Sequence, residues 1–434
     1  MDELPDGPRE PRVVQTLRWW ARPVPFFEQC LERYGKRFTL RLLVNVPVVM
    51  LSDPDEAREV FTAPPDVLHP GEGAKVLEPL LGPHSVILLD EAAHLEQRRL
   101  LLPAFHGERM ARLDALVTEV TEAEVATWPR DVPLRLHPRL QQLTLEVILR
   151  AVFGLDPGPR LDALRERLTE ILEWGTSPGA ILDKVVPALG HVGPWARMER
   201  WKRETDALLF ALIDERRAAG EAGRSDVLSM LLAARHEDGT PMTNRELRDE
   251  LVTLLVAGHE TTASALAWSF ERLTRTPDVL DRLAASLGDD GDDGAYLAAT
   301  VHETLRRRPV IPNAAPRLVK EPITVGGVRY PAGVALSPLA YGIHHDPALY
   351  PDPYAFRPER FLEQSPGTYT WIPFGGGRRR CLGASFALLE MRTVLRAVLT
   401  RHGIRAAPGG LELTRRRSIT LSPRRGAETV LLAA

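Results

Sequence analysis

Trp371-Ile-Pro-Phe-Gly-Gly-Gly-Arg-Arg-Arg-Cys-Leu-Gly383 leads through Phe374, three glycines and three arginines to Cys381, and a long apolar helical pattern begins directly after it. Glycines let a backbone fold closely round an atom and aim N–H groups at it. A cysteine at a helix start, beside Arg378, Arg379 and Arg380, is expected to be a thiolate. Cys381 is therefore a candidate metal ligand or nucleophile, and the rest of the chain has to decide between them.

The 434 residues allow two domains or one large helical domain, and 44 % hydrophobic residues suffice for a sizeable core. With 55 basic against 58 acidic side chains, no global charge argues for a nucleic-acid or anionic-membrane partner. Cys30 and Cys381 are the only cysteines, so no disulfide framework is expected and a reducing cytoplasm fits. The acidic, proline-rich start lacks the pattern of a signal peptide. Trp19, Trp20 and Val24 to Phe27 form an apolar patch interrupted by Arg22 and two prolines. No run reaches the ~18 apolar residues of a membrane-spanning helix, so the chain reads as soluble and without a transmembrane anchor.

Phe38–Leu43 and Pro47–Leu51 read as a hairpin turning near Asn45, and Ser52-Asp-Pro-Asp-Glu caps a helix reaching about Thr62. Residues 63–90 read as one long loop, the length of a lid or binding loop. From Asp90 the pattern is helical for nearly two hundred residues, and the break from Gly175 to Pro194 looks like a second cover. Thr243 and Glu246 form a capping-box pattern opening a helix of ~30 residues that ends before Pro277. A helix over 295–308, short β runs between Arg317 and Ser337, a proline-rich coil from Tyr350, a helix from Ala384 and a β-rich tail complete the chain. The composition of elements is mainly α with a minor β region, an α+β chain without βαβ alternation.

Three spacings then carry the chemistry. Phe374, Gly377, Arg379, Cys381 and Gly383 follow F-x-x-G-x-R-x-C-x-G. Ala257-Gly-His-Glu-Thr-Thr262 lies mid-way along the long helix, where Ala257, Gly258, Thr261 and Ala265 share a small-residue face. Glu260 and Thr261 are polar groups among apolar ones, costly unless used or bonded; Thr261 bonding back to the i−4 carbonyl is the plain alternative. H-E-x-x-H zinc binding fails because Ala263 stands where the second histidine belongs. Glu303-Thr-Leu-Arg306 and Pro358-Glu-Arg-Phe361 form the third set.

Together these motifs resemble the haem-thiolate monooxygenases, the cytochromes P450, in family order from His94 to Gly383. The resemblance implies one triangular, mostly helical domain over residues 1–434, with a long central helix over the haem and the β region near 38–51 and 317–337. It implies haem b (iron protoporphyrin IX) with Cys381 as axial ligand and Ala257 and Gly258 in an oxygen-activation groove. Thr261 would steer protons there and Glu260 relay them. Gly377 and Gly383 would permit close approach to the sulfur, tuned by N–H groups of the Leu382–Gly383 turn, and Phe374 would shield it. Glu303, Arg306 and Arg360 resemble a buried supporting network. Arg379, His94, Arg98 and Arg317 resemble propionate contacts.

The apolar residues expected round the open side are Val252, Leu255, Val256, Ile311 to Ala315 (with Ala314 between) and Ile419. They suit a hydrophobic small-molecule substrate. The implied reaction is reductive activation of O₂ with insertion of one oxygen atom into a C–H or C=C bond. No flavin or iron–sulfur segment is fused, so a separate ferredoxin and ferredoxin reductase are expected as electron donors. Arg98, Arg99 and Arg378 to Arg380 offer them a basic face. A peroxide-driven haem enzyme and a non-catalytic haem sensor or carrier are the rival classes, neither of which needs the Glu260–Thr261 pair.

Overall fold

Thr243 starts the long helix as its sequence requires. Its hydroxyl accepts the Glu246 N–H at 3.2 Å, and the Glu246 carboxylate accepts the Thr243 N–H at 2.7 Å. Two otherwise orphaned donors are thereby satisfied. The helix runs Asn244–Arg275, 32 residues, or about 48 Å at 1.5 Å per residue. In this computed structural model the described residues are 4–43, 46–105, 109–155, 158–175, 194–220, 224, 226–287 and 294–433.

This central helix is the axis of the largest core. It packs most extensively on the helix Leu136–Phe153, and also on Pro194–Ala219, Ala295–Arg307 and Ala384–Leu399. From Leu247 to Leu273 every residue is buried except Val256, Ala257, Gly258 and Thr261. A helix apolar all round belongs inside a large core, so a gap in its cover marks a place where something other than protein belongs.

The β region is small and mixed. One five-stranded sheet has the order Arg37–Leu40, Val48–Leu51, Ala335–Pro338, Arg317–Val319, Leu68–His69, with the second and third strands parallel and the other pairs antiparallel. The tail supplies the hairpin Thr414–Arg417 with Thr420–Pro423, and strands Ile404–Ala406 and Glu428–Leu431 pair in a separate sheet. The first hairpin thus forms as read; Asn45 lies outside the described residues, as does most of the expected cover, residues 176–193.

Residues 63–90 depart from the reading of one long loop. They hold the strand Leu68–His69 and short helical pieces at Pro70–Gly73, Lys75–Leu77 and Glu78–Leu81. Asp90 organises them, its carboxylate accepting the N–H groups of Gly71 and Glu72 at 2.8 and 3.0 Å. Asp249 and Glu250 of the central helix hold the same segment by accepting the His84 and Val86 N–H groups at 3.0 and 2.7 Å.

The helix Ala384–Leu399 that follows the cysteine contains one unexplained charge. Glu390 is buried, its Oε1 has no hydrogen-bond partner among the described residues, and burial raises its pKa to about 8. Unfolded, it titrates near ~4.3. Between those values the folded chain holds a proton that the unfolded chain releases, so this residue lowers stability progressively as pH rises towards 8. Glu390→Met is expected to gain ~1–3 kcal/mol over the parent at pH 8 and much less at pH 5. Thermal melts at the two pH values check this; a gain independent of pH contradicts it.

Candidate active site

The Cys381 loop is shaped by glycine. Gly375 and Gly377 adopt φ of +67° and +63°, a region L side chains rarely enter. A Cβ on Gly377 would stand 2.1 Å from the Phe61 carbonyl oxygen. The close approach seen at Gly377 is to the helix Pro54–Thr62. Beyond Gly383 a Cβ would meet no protein atom within 4 Å. The Cys381 N–H closes the loop on the Phe374 carbonyl at 2.9 Å, and the Phe374 ring stands edge-on to Trp371.

Charge at the sulfur corrects a sequence expectation. Burial raises the Cys381 pKa, and the Gly383 N–H, Arg98 and Arg380 only partly oppose it. Desolvation by surrounding protein outweighs the nearby cations. Without a metal the side chain is thus a thiol, although a coordinated cation deprotonates such a group outright. Cys381 is at the same time exposed. Both descriptions hold for a side chain enclosed by protein but facing an open internal space.

The four expected cationic residues come together. His94, buried on the helix Glu91–Leu101, lies within electrostatic reach of Arg379, Arg98 and Arg317; burial first, then those cations, lower its pKa to about 3. Arg98 in turn is within reach of the Cys381 sulfur. Arg317 is buried, donates to the Val60 carbonyl at 3.0 Å and leaves its Nε without a partner. Burial and Arg379 bring its pKa down to about 10. Asp90 is the acid set against this group, 2.7 Å from Arg379, which also donates to the carbonyls of Val86 and Leu89. Three guanidinium groups against one carboxylate leave an excess of buried positive charge, suited to a ligand bearing carboxylates.

The central helix is less uniform than its small-residue spacing implies. Ala257 is exposed and Thr261 half-open, one turn apart on one face. Ala265 is buried, and a Cβ on Gly258 would meet Ile148 at 2.9 Å, so that glycine serves packing on Leu136–Phe153. Thr261 donates to the Ala257 carbonyl at 2.6 Å, leaving its oxygen lone pairs towards the open face.

Glu260 points elsewhere. Its carboxylate accepts from Gln141 at 2.6 Å, Arg417 at 3.1 Å and Ser264 at 3.2 Å, with His137 at 3.4 Å. Burial opposes its charge, but His137, Arg417 and His259 together hold the pKa down to about 2. It is a fixed anion inside a polar network. Ser264 lies one turn away on the same helix, but Gln141, His137 and Arg417 were not legible, being over a hundred residues away in sequence.

Glu303, Arg306 and Arg360 form the expected network. Arg306 is fully buried and donates to both Glu303 oxygens at 2.7 and 2.9 Å, and Arg360 donates at 3.3 Å. Further bonds run from Arg306 to the carbonyls of His344 and Pro353, both at 2.8 Å. Two contacts connect this network to the cysteine loop: the Trp371 indole donates to the His302 carbonyl at 3.1 Å, and the Ile372 N–H donates to His344 Nε2 at 2.9 Å.

The pocket expectations divide. Val252 and Leu255 are buried on the side of the helix turned from Ala257, where with Val256, Leu145, Leu168 and Ile171 they line a small cavity. That cavity is not the open face at Ala257, and of the three only Val256 is partly open. Ile311 and Ala314 are half-buried and Ala315 exposed, after the Glu303 helix. Ile419 is exposed at the tip of the tail hairpin, which the Leu421 N–H fastens to the Val310 carbonyl at 2.7 Å. The basic face also divides: Arg98 and Arg379 turn inward and Arg99 pairs with Glu237 at 2.6 Å, leaving Arg378 and Arg380 exposed.

A cysteine loop, a gap in the cover of a buried helix and a carboxylate-seeking cluster coincide with a family match. A family model for cytochrome P450 covers residues 5–427. The chain is a cytochrome P450. It is 42 % identical over 430 residues, 98 % of this chain and 90 % of the relative, to the protein of Mycobacterium bovis named cytochrome P450 135B1. Cytochrome P450 138 of Mycobacterium tuberculosis is 37 % identical, with 99 % and 96 % covered. Among solved structures, retinoic acid-bound cyanobacterial CYP120A1 shares the fold at a TM-score of 0.83 and 24 % identity, each chain covered to 99 %. The heme domain of cytochrome P450DA does so at 0.82 and 22 %, with 99 % and 98 % covered. As a cytochrome P450 the chain is a haem-dependent monooxygenase. Among the described residues no helix is long and apolar enough to cross a membrane.

Proposed function

We propose that this cytochrome P450 is one catalytic unit over residues 1–434, holds haem b, and hydroxylates or epoxidises a hydrophobic small molecule in the cytoplasm. A ferredoxin and its reductase supply the electrons. The observation that carries the reading is the group of buried His94 and Arg317 with half-buried Arg98 and Arg379, which sets three guanidinium groups against one acid, Asp90, and of which Arg98 reaches the Cys381 sulfur electrostatically. Such a donor set fits a prosthetic group with two carboxylates and a metal. Cys381 would bind the iron, and the arginines and His94 would neutralise the propionates. A haem held there supplies the iron at which O₂ is reduced.

The protein's own part is to orient, to exclude water and to move protons. Ala257 leaves room on the central helix, and the Ala257 carbonyl fixes the Thr261 hydroxyl. With its own proton on the Ala257 carbonyl, Thr261 offers its oxygen lone pairs to a proton donor entering the open groove and steers that proton there. Glu260, held ionised, orients the helix segment bearing Thr261 through Gln141 and Arg417. Ile311, Ala314 and Ala315 supply apolar contact for the substrate, and Arg378 and Arg380 face the acidic electron donor.

Thr261→Ala tests the proton role. It is expected to retain haem and substrate affinity while product formed per NADH consumed falls several-fold and peroxide release rises correspondingly. Unchanged coupling removes Thr261 from the reaction.

A further inference from the structure

Three consecutive arginines of the tail hairpin have three different fates. Arg415 is exposed, and Arg417 pairs with Glu260 at 3.1 Å. Arg416 is only 6 % exposed, and its Nε and Nη2 have no hydrogen-bond partner among the described residues. These two atoms lie along one edge of the guanidinium plane, the edge that matches a carboxylate with two parallel N–H···O bonds. Among the described residues no charged group balances it, and burial lowers its pKa to about 9. The guanidinium carbon stands 4.0 Å from the centre of the Trp19 ring, on the helix Arg12–Ala21. The Trp19 indole N–H is itself buried without an acceptor. A cation–π contact recovers only part of what an unpaired buried ion costs.

We infer that Arg416 and Trp19 form a binding site for a carboxylate carried on an aliphatic chain, separate from the groove at Ala257 and Thr261. The guanidinium edge takes both oxygens and the indole N–H adds a third donor, with the Trp19 ring swinging aside as the anion enters. The aliphatic chain finds its contact nearby. Exposed Leu43 is tied to the helix face that carries Trp19, its N–H donating to the hydroxyl of Thr16 one turn earlier, and half-buried Val24 and Val46 pack on the same cluster as Trp19. A bare inorganic anion uses the donors but none of this surface. Adjacent strand residues face opposite ways, so the site lies across the hairpin from Glu260 and does not depend on the reaction proposed above.

The test is calorimetric titration of the holoprotein with dodecanoate, dodecanol and inorganic phosphate, the iron side being filled beforehand with 4-phenylimidazole. Dodecanoate is expected to bind at least tenfold more tightly than dodecanol or phosphate. Arg416→Leu is expected to remove that preference, leaving dodecanol binding and haem content unchanged and thermal stability equal or higher, since an unpaired buried charge is lost. Arg416→Lys, which keeps the charge but not the two-pronged edge, is expected to lose most of the preference, and Trp19→Phe part of it. Equal affinity for acid and alcohol overturns the inference, as does a preference that survives Arg416→Leu and Arg416→Lys. Arg416-dependent sedimentation with anionic phospholipid vesicles, without dodecanoate binding, assigns the arginine to a membrane surface and equally overturns it. Failure of 4-phenylimidazole to shift the haem absorbance counts against the proposed monooxygenase site and leaves the dodecanoate comparison readable.

Discussion

Glu303→Ala is expected to yield almost no folded, haem-loaded protein. The carboxylate accepts from Arg306, from Arg360 and from the Arg357 N–H at 2.9 Å, and both Glu303 and Arg306 are fully buried. Removing it strands two guanidinium groups with no other acid in contact among the described residues. Breaking a buried pair in this way costs ~3–5 kcal/mol, a large share of the 5–15 kcal/mol that holds a typical domain folded. The loss also reaches the site, because Trp371 and Ile372 of the cysteine loop hang on His302 and His344. Glu303→Gln keeps one acceptor oxygen and loses the charge, and is expected to be intermediate. Yield, thermal melting and haem-to-protein ratio decide it; near-parental values for Glu303→Ala mean the network carries little.

What the sequence made legible was local. Thr243 and Glu246 sit three residues apart, and their capping box forms because both partners are on one helical turn. Glu303 and Arg306 pair for the same reason, and the glycines round Cys381 lie where the backbone turns tightly. Long-range partners were hidden. Glu260 has the same neighbours in sequence whether it faces the groove or Gln141, and only the packing of Leu136–Phe153 decides. Gly258 looked like a groove residue by spacing, yet Ile148 claims its space. Val252 and Leu255 illustrate a related limit: an apolar residue on a largely buried helix does not announce whether it faces the open side at Ala257 or a cavity on the far side. Asp90, read only as the start of a helix, turned out to hold Arg379 and Gly71.

The electrostatics of Cys381 show why charge counting along the chain misleads. Three flanking arginines favour a thiolate on paper, but Arg379 is spent on Asp90 and two carbonyls and Arg378 turns to solvent. Burial then decides against the anion. Ionisation of the sulfur therefore belongs to metal binding and not to the loop alone, which makes the ligand role the sharper one to test.

The second large effect follows from that role. Cys30 is buried with its pKa raised to about 12 by desolvation and lies in a separate hydrophobic cluster, so it offers no substitute for Cys381. The most direct measurement is the absorbance of the reduced protein under carbon monoxide, for the parent chain and for Cys381→Ser. The parent is expected to show the red-shifted band of a thiolate-bound haem, and Cys381→Ser to lose that band entirely while keeping its helical circular dichroism. A parent preparation that binds no haem, or a serine variant that keeps the band, contradicts the assignment of the sulfur to iron.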